Sequence, residues 1–327
     1  MKNYGFPLFA LILGLSLTLG LGGTAHAQGG DFTQWLAGLR RDAAAQGVPA
    51  ATLDSALSGV QPLPRVLELD QKQPESTITL DRYLANVVKP ERIEKGRMLK
   101  LENKALLRGV SNRYGVPPKT IMALWAVESG FGASMGTFKV VDALATLAFD
   151  GRRPDLFRAE LISALKILGR GRLQSEDLKG SWAGAMGQVQ FMPSTYLHYA
   201  VSYNHEGQPD IWHTQGDVFA SAANYLSTLG WKRDEGWGRE VALPADFAPG
   251  LVGLPVKHTV TEWGKLGVRR ADGAKLPPSM IEGSIVTPDG SGGRAFLVYD
   301  NFRTIMKWNH STYFALAVNM LADGIGN

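Results

Sequence analysis

The segment Val116-Pro-Pro-Lys-Thr-Ile-Met-Ala-Leu-Trp-Ala-Val-Glu128-Ser-Gly130 carries the side chain best suited to move a proton. Proline fits the first turn of a helix and glycine its exit. Between them Ile121, Leu124, Trp125 and Glu128 fall at i, i+3, i+4 and i+7 and therefore share one face. That face is apolar except for its last member. A carboxyl group there is partly desolvated, which disfavours its charged form. It also stands in the last turn, where the negative end of the helix dipole opposes it by about 0.3–1 kcal/mol. Both effects favour a protonated acid near neutrality, the state a general acid needs to protonate a leaving-group oxygen. The same periodicity also accommodates a slightly rotated helix with Glu128 in solvent, and spacing alone does not choose between them.

A second stretch, Lys179-Gly-Ser-Trp-Ala-Gly-Ala-Met-Gly-Gln-Val-Gln-Phe-Met-Pro-Ser194, sets three glycines and several small residues between polar and aromatic side chains. Glycine permits close approach of backbone to a ligand or to another segment. Ser181, Gln188 and Gln190, with Trp182 beside them, offer hydroxyl, amide and ring surfaces suited to a neutral polar ligand such as a sugar. Tight packing of a turn against a helix would use the same residues. The stretch is not a phosphate loop, since no Gly-Lys-Ser/Thr follows.

Other motifs fail on inspection. There is no Gly-x-Ser-x-Gly elbow, and Ser163-Ala-Leu-Lys166 lies inside an amphipathic helix without a Lys-Thr-Gly partner. The six histidines are scattered and none forms His-Glu-x-x-His. The run Ser202 to His213 has the outline of a calcium loop with Gly207 at its sixth position. Ser202 replaces the first Asp and His213 the final Glu, so Asn204, Glu206 and Gln208 form only a degraded site, and no metal is expected. Cysteine is absent, which removes disulfides, thiolate metal sites, a Cys nucleophile and a lipidated N-terminal Cys.

Helical periodicity runs from Asp31, as a cap, to Leu57, with a second short helix after Val48-Pro49. The three prolines of 61–77 read as an irregular connection, and Glu91 to Tyr114 as one longer amphipathic helix closed by Gly115. Further helices are expected from Pro117, over Asp155–Leu168, from Pro193 to Ala200 and over Asp217–Leu229. From Trp237 the runs Glu240–Leu243, Lys257–Trp263 and Ala295–Tyr299 are β-type, broken by Gly, Pro and Asp, and a final helix covers Thr312–Leu321. The fold class is mainly α (α+β), a helical body with a small β-rich insert.

The chain has 327 residues, 45% hydrophobic and 20% charged, which suits a globular protein and excludes wholesale disorder. A net charge of +4 without a basic run gives no reason to expect nucleic acid as a partner. Residues 1–27 read as a secretory signal: Lys2, an apolar run from Phe6 to Leu21, and Ala25-His26-Ala27 as the cleavage site. A soluble exported protein without a stable membrane anchor is expected.

The motifs in order resemble the B family of lytic murein transglycosylases. They are Arg82-Tyr83, Tyr114-Gly-Val-Pro-Pro118, Val127-Glu-Ser129, Asp142-Ala-Leu-Ala-Thr-Leu-Ala-Phe149, Lys179-Gly-Ser-Trp-Ala-Gly-Ala-Met-Gly187, Gln190-Phe-Met-Pro-Ser194, Ala223-Asn-Tyr225 and Asn309-His-Ser-Thr312. The resemblance implies a lysozyme-like helical core over 116–236, preceded by a helical region over 28–115. A β-rich region would follow over 237–300, then a C-terminal helix over 301–327 returning to the core. It implies cleavage of the MurNAc–GlcNAc bond of peptidoglycan in the periplasm by a monomer, with Glu128 as catalytic acid and no cofactor. It places Tyr83, Arg152, Arg153, Ser181, Gln190, Tyr225 and Asn309 along the groove for glycan strands, where Trp182 joins them. The sequence names no protein partner among cell-wall synthases. Around Asn309 the family's aromatic positions are Trp308 and Phe314 here, and neither carries a hydroxyl.

Glycosidases of the usual kind need two carboxylates. Asp142 and Glu160 are the candidates for a second one, whereas a transglycosylase needs only Glu128, acting as acid and then as base. A hydrolytic muramidase and a non-catalytic glycan-binding protein are the competing readings.

Overall fold

The computed structural model describes residues 31–72 and 78–326. The residues 1–27 expected to be a leader and the end of the 61–77 connection lie outside the described residues. Among those residues no helix is long and apolar enough to cross a membrane. Among the described residues the architecture is mainly helical with a five-stranded sheet and a two-stranded ribbon, in line with the mainly α (α+β) class that the sequence pattern predicts.

The chain gathers into two compact units. The first comprises 31–72 and Trp125–Asn224. Its N-terminal helix Phe32–Ala45 starts where the Asp31 carboxylate accepts the Thr33 N–H, the cap read from sequence. Phe32, Trp35 and Phe149 form an aromatic cluster, with ring centroids 5.2–5.6 Å apart. The helices Val140–Asp150 and Pro154–Gly169 pack closely as a hairpin, and Ala50–Ala56 and Pro193–Tyr199 lie against the second of them. A two-residue antiparallel ribbon pairs Phe138–Lys139 with Lys179–Gly180.

The second unit comprises 78–124 and 225–326. Here the helix Thr312–Ile325 packs against Leu80–Val87, Pro90–Glu102 and Asp300–Trp308. A five-stranded antiparallel sheet runs His258–Thr259, Glu282–Val286, Ala295–Val298, Gly238–Ala242, Arg269–Arg270. Its core closes on the fully buried Trp263, whose indole N–H donates to the Gly283 carbonyl. The boundary between the units falls within the helix Pro118–Ser129, which carries Glu128.

Three sequence expectations are corrected. The connection over 61–77 contains a helix, Pro64–Gln71, because Pro64 occupies the first turn, where its missing N–H costs nothing. Glu91–Tyr114 is two helices, Pro90–Glu102 and Lys104–Tyr114, broken at Asn103, whose amide donates to the Leu99 carbonyl. Lys257–Trp263 is strand only at His258–Thr259. There Thr259 and Glu262 form a reciprocal capping box and start the helix Val260–Lys265.

Candidate active site

Glu128 stands in the last turn of the helix Pro118–Ser129, half-buried, on the face whose earlier members Ile121, Leu124 and Trp125 are buried. The helix ends abruptly. The Phe131 N–H reaches back to the Trp125 carbonyl, and Ser129 Oγ accepts the Gly132 N–H. Gly130, Phe131 and Gly132 all have positive φ, at 60°, 64° and 79°. A left-handed phenylalanine is costly backbone, and such strain gathers at functional positions.

The loop that follows is laid along the glycine-rich stretch. At Gly136, φ 87°, an added Cβ would stand 2.0 Å from the Gly180 carbonyl oxygen and 2.4 Å from the Ser181 nitrogen. The Gln190 amide donates to the Met135 and Gly187 carbonyls. The chain after Glu128 is thereby pinned to the segment that presents Ser181 and Gln190.

Within that segment Ser181 Oγ accepts the backbone N–H groups of Ala183 and Ala185, at 3.3 and 3.0 Å. With both acceptor positions engaged, the hydroxyl has its proton to offer. Gln190 adopts φ 49°, and its Oε1 is buried without a hydrogen-bond partner. An unsatisfied buried carbonyl on a strained residue is unusual enough to need an explanation, and ligand binding is one. Trp182 is half-buried beside them in sequence.

Gln188 does a different job from the sugar contact that its amide suggested. It is buried, its Oε1 accepts the Trp125 indole N–H at 2.7 Å, and its Nε2 donates to the Trp212 carbonyl at 2.7 Å. It thus fixes Trp125, one turn before Glu128, whose ring meets Phe131 and Phe219 edge-on. Gln188→Leu leaves two buried groups unpaired and is expected to destabilise the protein by about 2–4 kcal/mol in denaturant titration. Gln188→Glu keeps the acceptor and should lose less.

Glu160 is not a second reacting carboxylate. It is buried, and both its oxygens are engaged by Ser194, through the backbone N–H at 2.9 Å and Oγ at 2.7 Å, at the start of the helix Pro193–Tyr199. Asp142 is half-buried in the first turn of Val140–Asp150, and burial raises its pKa against the opposing pull of Lys139. The Arg152 guanidinium and backbone N–H are held by Asp70, a buried carboxylate with no signature in the sequence. The Arg153 guanidinium lies over the Phe157 ring, 5.4 Å from its centroid.

These residues belong to the first unit; Tyr83, Tyr225 and Asn309 belong to the second. There the Tyr225 hydroxyl donates to the Lys307 carbonyl, and its ring meets Trp308 edge-on at 4.9 Å. Asn309 ends the helix Asp300–Trp308, and its Oδ1 accepts the Ser311 N–H. Tyr83 is buried against Tyr313.

The loop over 202–213 is held by its own protein contacts. Asp217 accepts the N–H groups of Tyr203 and Asp210, and Asp210 accepts those of Trp212 and His213. The Arg172 guanidinium lies against Gly207 and donates to the Glu206 carbonyl, placing a cation at the loop. Asn204 and Glu206 point to solvent. This donor set fits a calcium ion poorly, and among the described residues no group of three His, Asp or Glu side chains is arranged to hold a metal.

The family described as transglycosylase SLT domain matches residues 31–323. The chain belongs to the B family of lytic murein transglycosylases. It is 33% identical over 249 residues to the membrane-bound lytic murein transglycosylase B of Escherichia coli, covering 75% of this chain and 66% of that protein. Among solved structures, SltB3 of Pseudomonas aeruginosa in complex with NAG-anhNAM-pentapeptide superposes with a TM-score of 0.87 at 43% identity, over 91% of this chain and 80% of that one. Slt35 of Escherichia coli in complex with calcium gives 0.75 at 29% identity, over 89% and 92%. This transglycosylase therefore has the helical, lysozyme-like core with a small sheet that its motifs imply.

Proposed function

We propose that this chain is an exported lytic transglycosylase that cleaves the β-1,4 bond between MurNAc and GlcNAc in peptidoglycan and leaves a 1,6-anhydro-MurNAc end. The observation that carries this reading is the 43% identity, over 91% of the chain, to a protein whose structure holds NAG-anhNAM-pentapeptide. A 1,6-anhydro sugar forms by attack of the sugar's own C6 hydroxyl on C1, and hydrolysis gives a reducing end instead.

Glu128 acts twice. As the acid it protonates the glycosidic oxygen as the C1–O bond breaks. As the carboxylate it then takes the proton from the C6 hydroxyl of MurNAc, whose oxygen bonds to C1. The proton given is recovered, and no water enters. The attacking hydroxyl is already part of the sugar, so the second step is effectively unimolecular and gains the advantage of a tethered nucleophile. The Ser181 hydroxyl, with its proton to offer, suits a donor to the carboxylate or to a sugar oxygen. Trp182, Gln190, Arg152, Arg153, Tyr83, Tyr225 and Asn309 are assigned to glycan binding, as the family resemblance implies. Trp308, half-buried and next to Asn309 in sequence, carries no hydroxyl, and Phe314 is buried in the helix Thr312–Ile325. The signal-like residues 1–27 support action in the periplasm, and a monomer suffices for the chemistry.

Mass spectrometry of sacculi digested with the purified protein tests the reaction. Anhydro-MurNAc ends are expected. Reducing ends, heavier by one water, would identify a hydrolytic muramidase instead, and an undigested sacculus a binding protein.

A further inference from the structure

The hairpin loop 287–294 joins the strands Glu282–Val286 and Ala295–Val298, and in sequence it reads only as a turn. In the folded second unit two of its side chains grip one helix. Both Asp289 carboxylate oxygens accept the Leu80 N–H, each at 3.1 Å, in the first turn of Leu80–Val87. Arg294 donates to Asp81 at 3.0 Å from one side of its guanidinium, while Glu240 holds the other side at 2.6 and 2.8 Å. The Tyr313 hydroxyl donates to the same Asp289 carboxylate. The Tyr313 ring meets Tyr83 edge-on, with centroids 5.7 Å apart. Tyr313 lies in the first turn of Thr312–Ile325, just after Ser311, whose N–H is bound to Asn309.

We infer that Asp289, with Tyr313, is a positioning device for the glycan-binding face: it sets the place of Tyr83 and so tunes affinity for the glycan strand without touching the reacting atoms. The physical basis is pre-organisation. A carboxylate on the first N–H of a helix satisfies an orphan donor and favours the positive end of the dipole. This carboxylate also holds the hydroxyl of the ring against which Tyr83 packs. One side chain therefore fixes both the helix that carries Tyr83 and the aromatic wall behind it. Burial first, and then the neighbouring Asp289, push the Tyr313 pKa up to about 12, so that hydroxyl remains a donor throughout the physiological range. Arg294 on Asp81 supplies a second grip on the same turn. The function this assigns to the β-rich segment is to order one wall of the binding face through the loop at its strand ends.

The inference rests on the reading of Tyr83 as a glycan contact, and a double-mutant cycle separates the two. The full chain is assayed on solubilised glycan strands. Tyr83→Ala is expected to raise KM about tenfold with kcat nearly unchanged. Asp289→Ala should raise KM about fivefold, again with little change in kcat, and add nothing on the Tyr83→Ala background. Asp289→Asn keeps an acceptor oxygen for Leu80 and Tyr313 and should restore most of the affinity, while Tyr313→Phe, which keeps the ring, should fall between. If Tyr83→Ala leaves KM unchanged, the glycan-contact reading fails and the inference with it. If Tyr83→Ala acts while Asp289→Ala and Tyr313→Phe do not, or if the effects of Asp289→Ala and Tyr83→Ala are additive, the positioning role alone is overturned.

Discussion

Glu128→Gln is expected to reduce release of soluble fragments from sacculi by roughly a thousandfold or more, with the fold retained. Glutamine has nearly the same volume and keeps an acceptor oxygen, so the half-buried position at the helix end accommodates it. It cannot deliver a proton to the leaving oxygen, and it cannot take one from the C6 hydroxyl. General acid and base assistance are each worth about 10²–10⁴-fold, and here one group performs both. Turbidity loss of a sacculus suspension measures the rate, and a denaturant midpoint unchanged from wild type establishes that the chain still folds. Glycan binding by the variant should persist, since the residues assigned to it are untouched. A variant within a few-fold of wild type would remove Glu128 from the chemistry.

Gly136→Ala is expected to cost about 3–5 kcal/mol of stability and most of the activity with it. Two penalties combine. With φ at 87°, any side chain strains the backbone, and the new Cβ would lie 2.0 Å from the Gly180 carbonyl oxygen and 2.1 Å from its carbon. Those neighbours are backbone atoms of the ribbon Lys179–Gly180, which cannot rotate aside as a side chain would. Relief requires the Ser181 segment to move away from the loop that follows Glu128. Gly171→Ala is the control. At φ 82° with nothing within 4 Å, it bears only the backbone term and should lose about 1 kcal/mol. Denaturant unfolding of the two variants separates steric overlap from strain, and equal losses would refute the close approach at Gly136.

The helix under Glu128 is legible in the sequence because its signals are local. Prolines at its start, glycine at its exit and a 3.6-residue apolar spacing act within a few residues of one another. The same holds for the Asp31 cap and for Pro154–Gly169, whose apolar stripe stands out against charged neighbours. Val140–Asp150 gives no helical signal in the sequence for the opposite reason. Residues 140 through 148 are buried apart from Asp142, so the sequence is apolar nearly all round and shows no periodic face. The split at Asn103 and the helix at Pro64 turn on single polar or capping contacts that weak propensities do not announce.

Side-chain chemistry divides in the same way. Residue type and family motif place Glu128, Ser181 and Gln190 among the candidates, but only tertiary structure decides what each polar group is already bonded to. Gln188 has a sugar-binding side chain by composition, yet both ends of its amide are consumed by Trp125 and Trp212. Glu160 could have been a second carboxylate until Ser194 engaged both its oxygens. Asp289 lies 209 residues from Leu80 along the chain, and no local pattern could pair them. Sequence determined the helices that carry local caps and an apolar stripe, and which side chains can carry protons, because those follow from neighbours within a turn or two. The folded chain decided which of these groups remain available for substrate, because hydrogen-bond partners are assigned by approaches between distant segments.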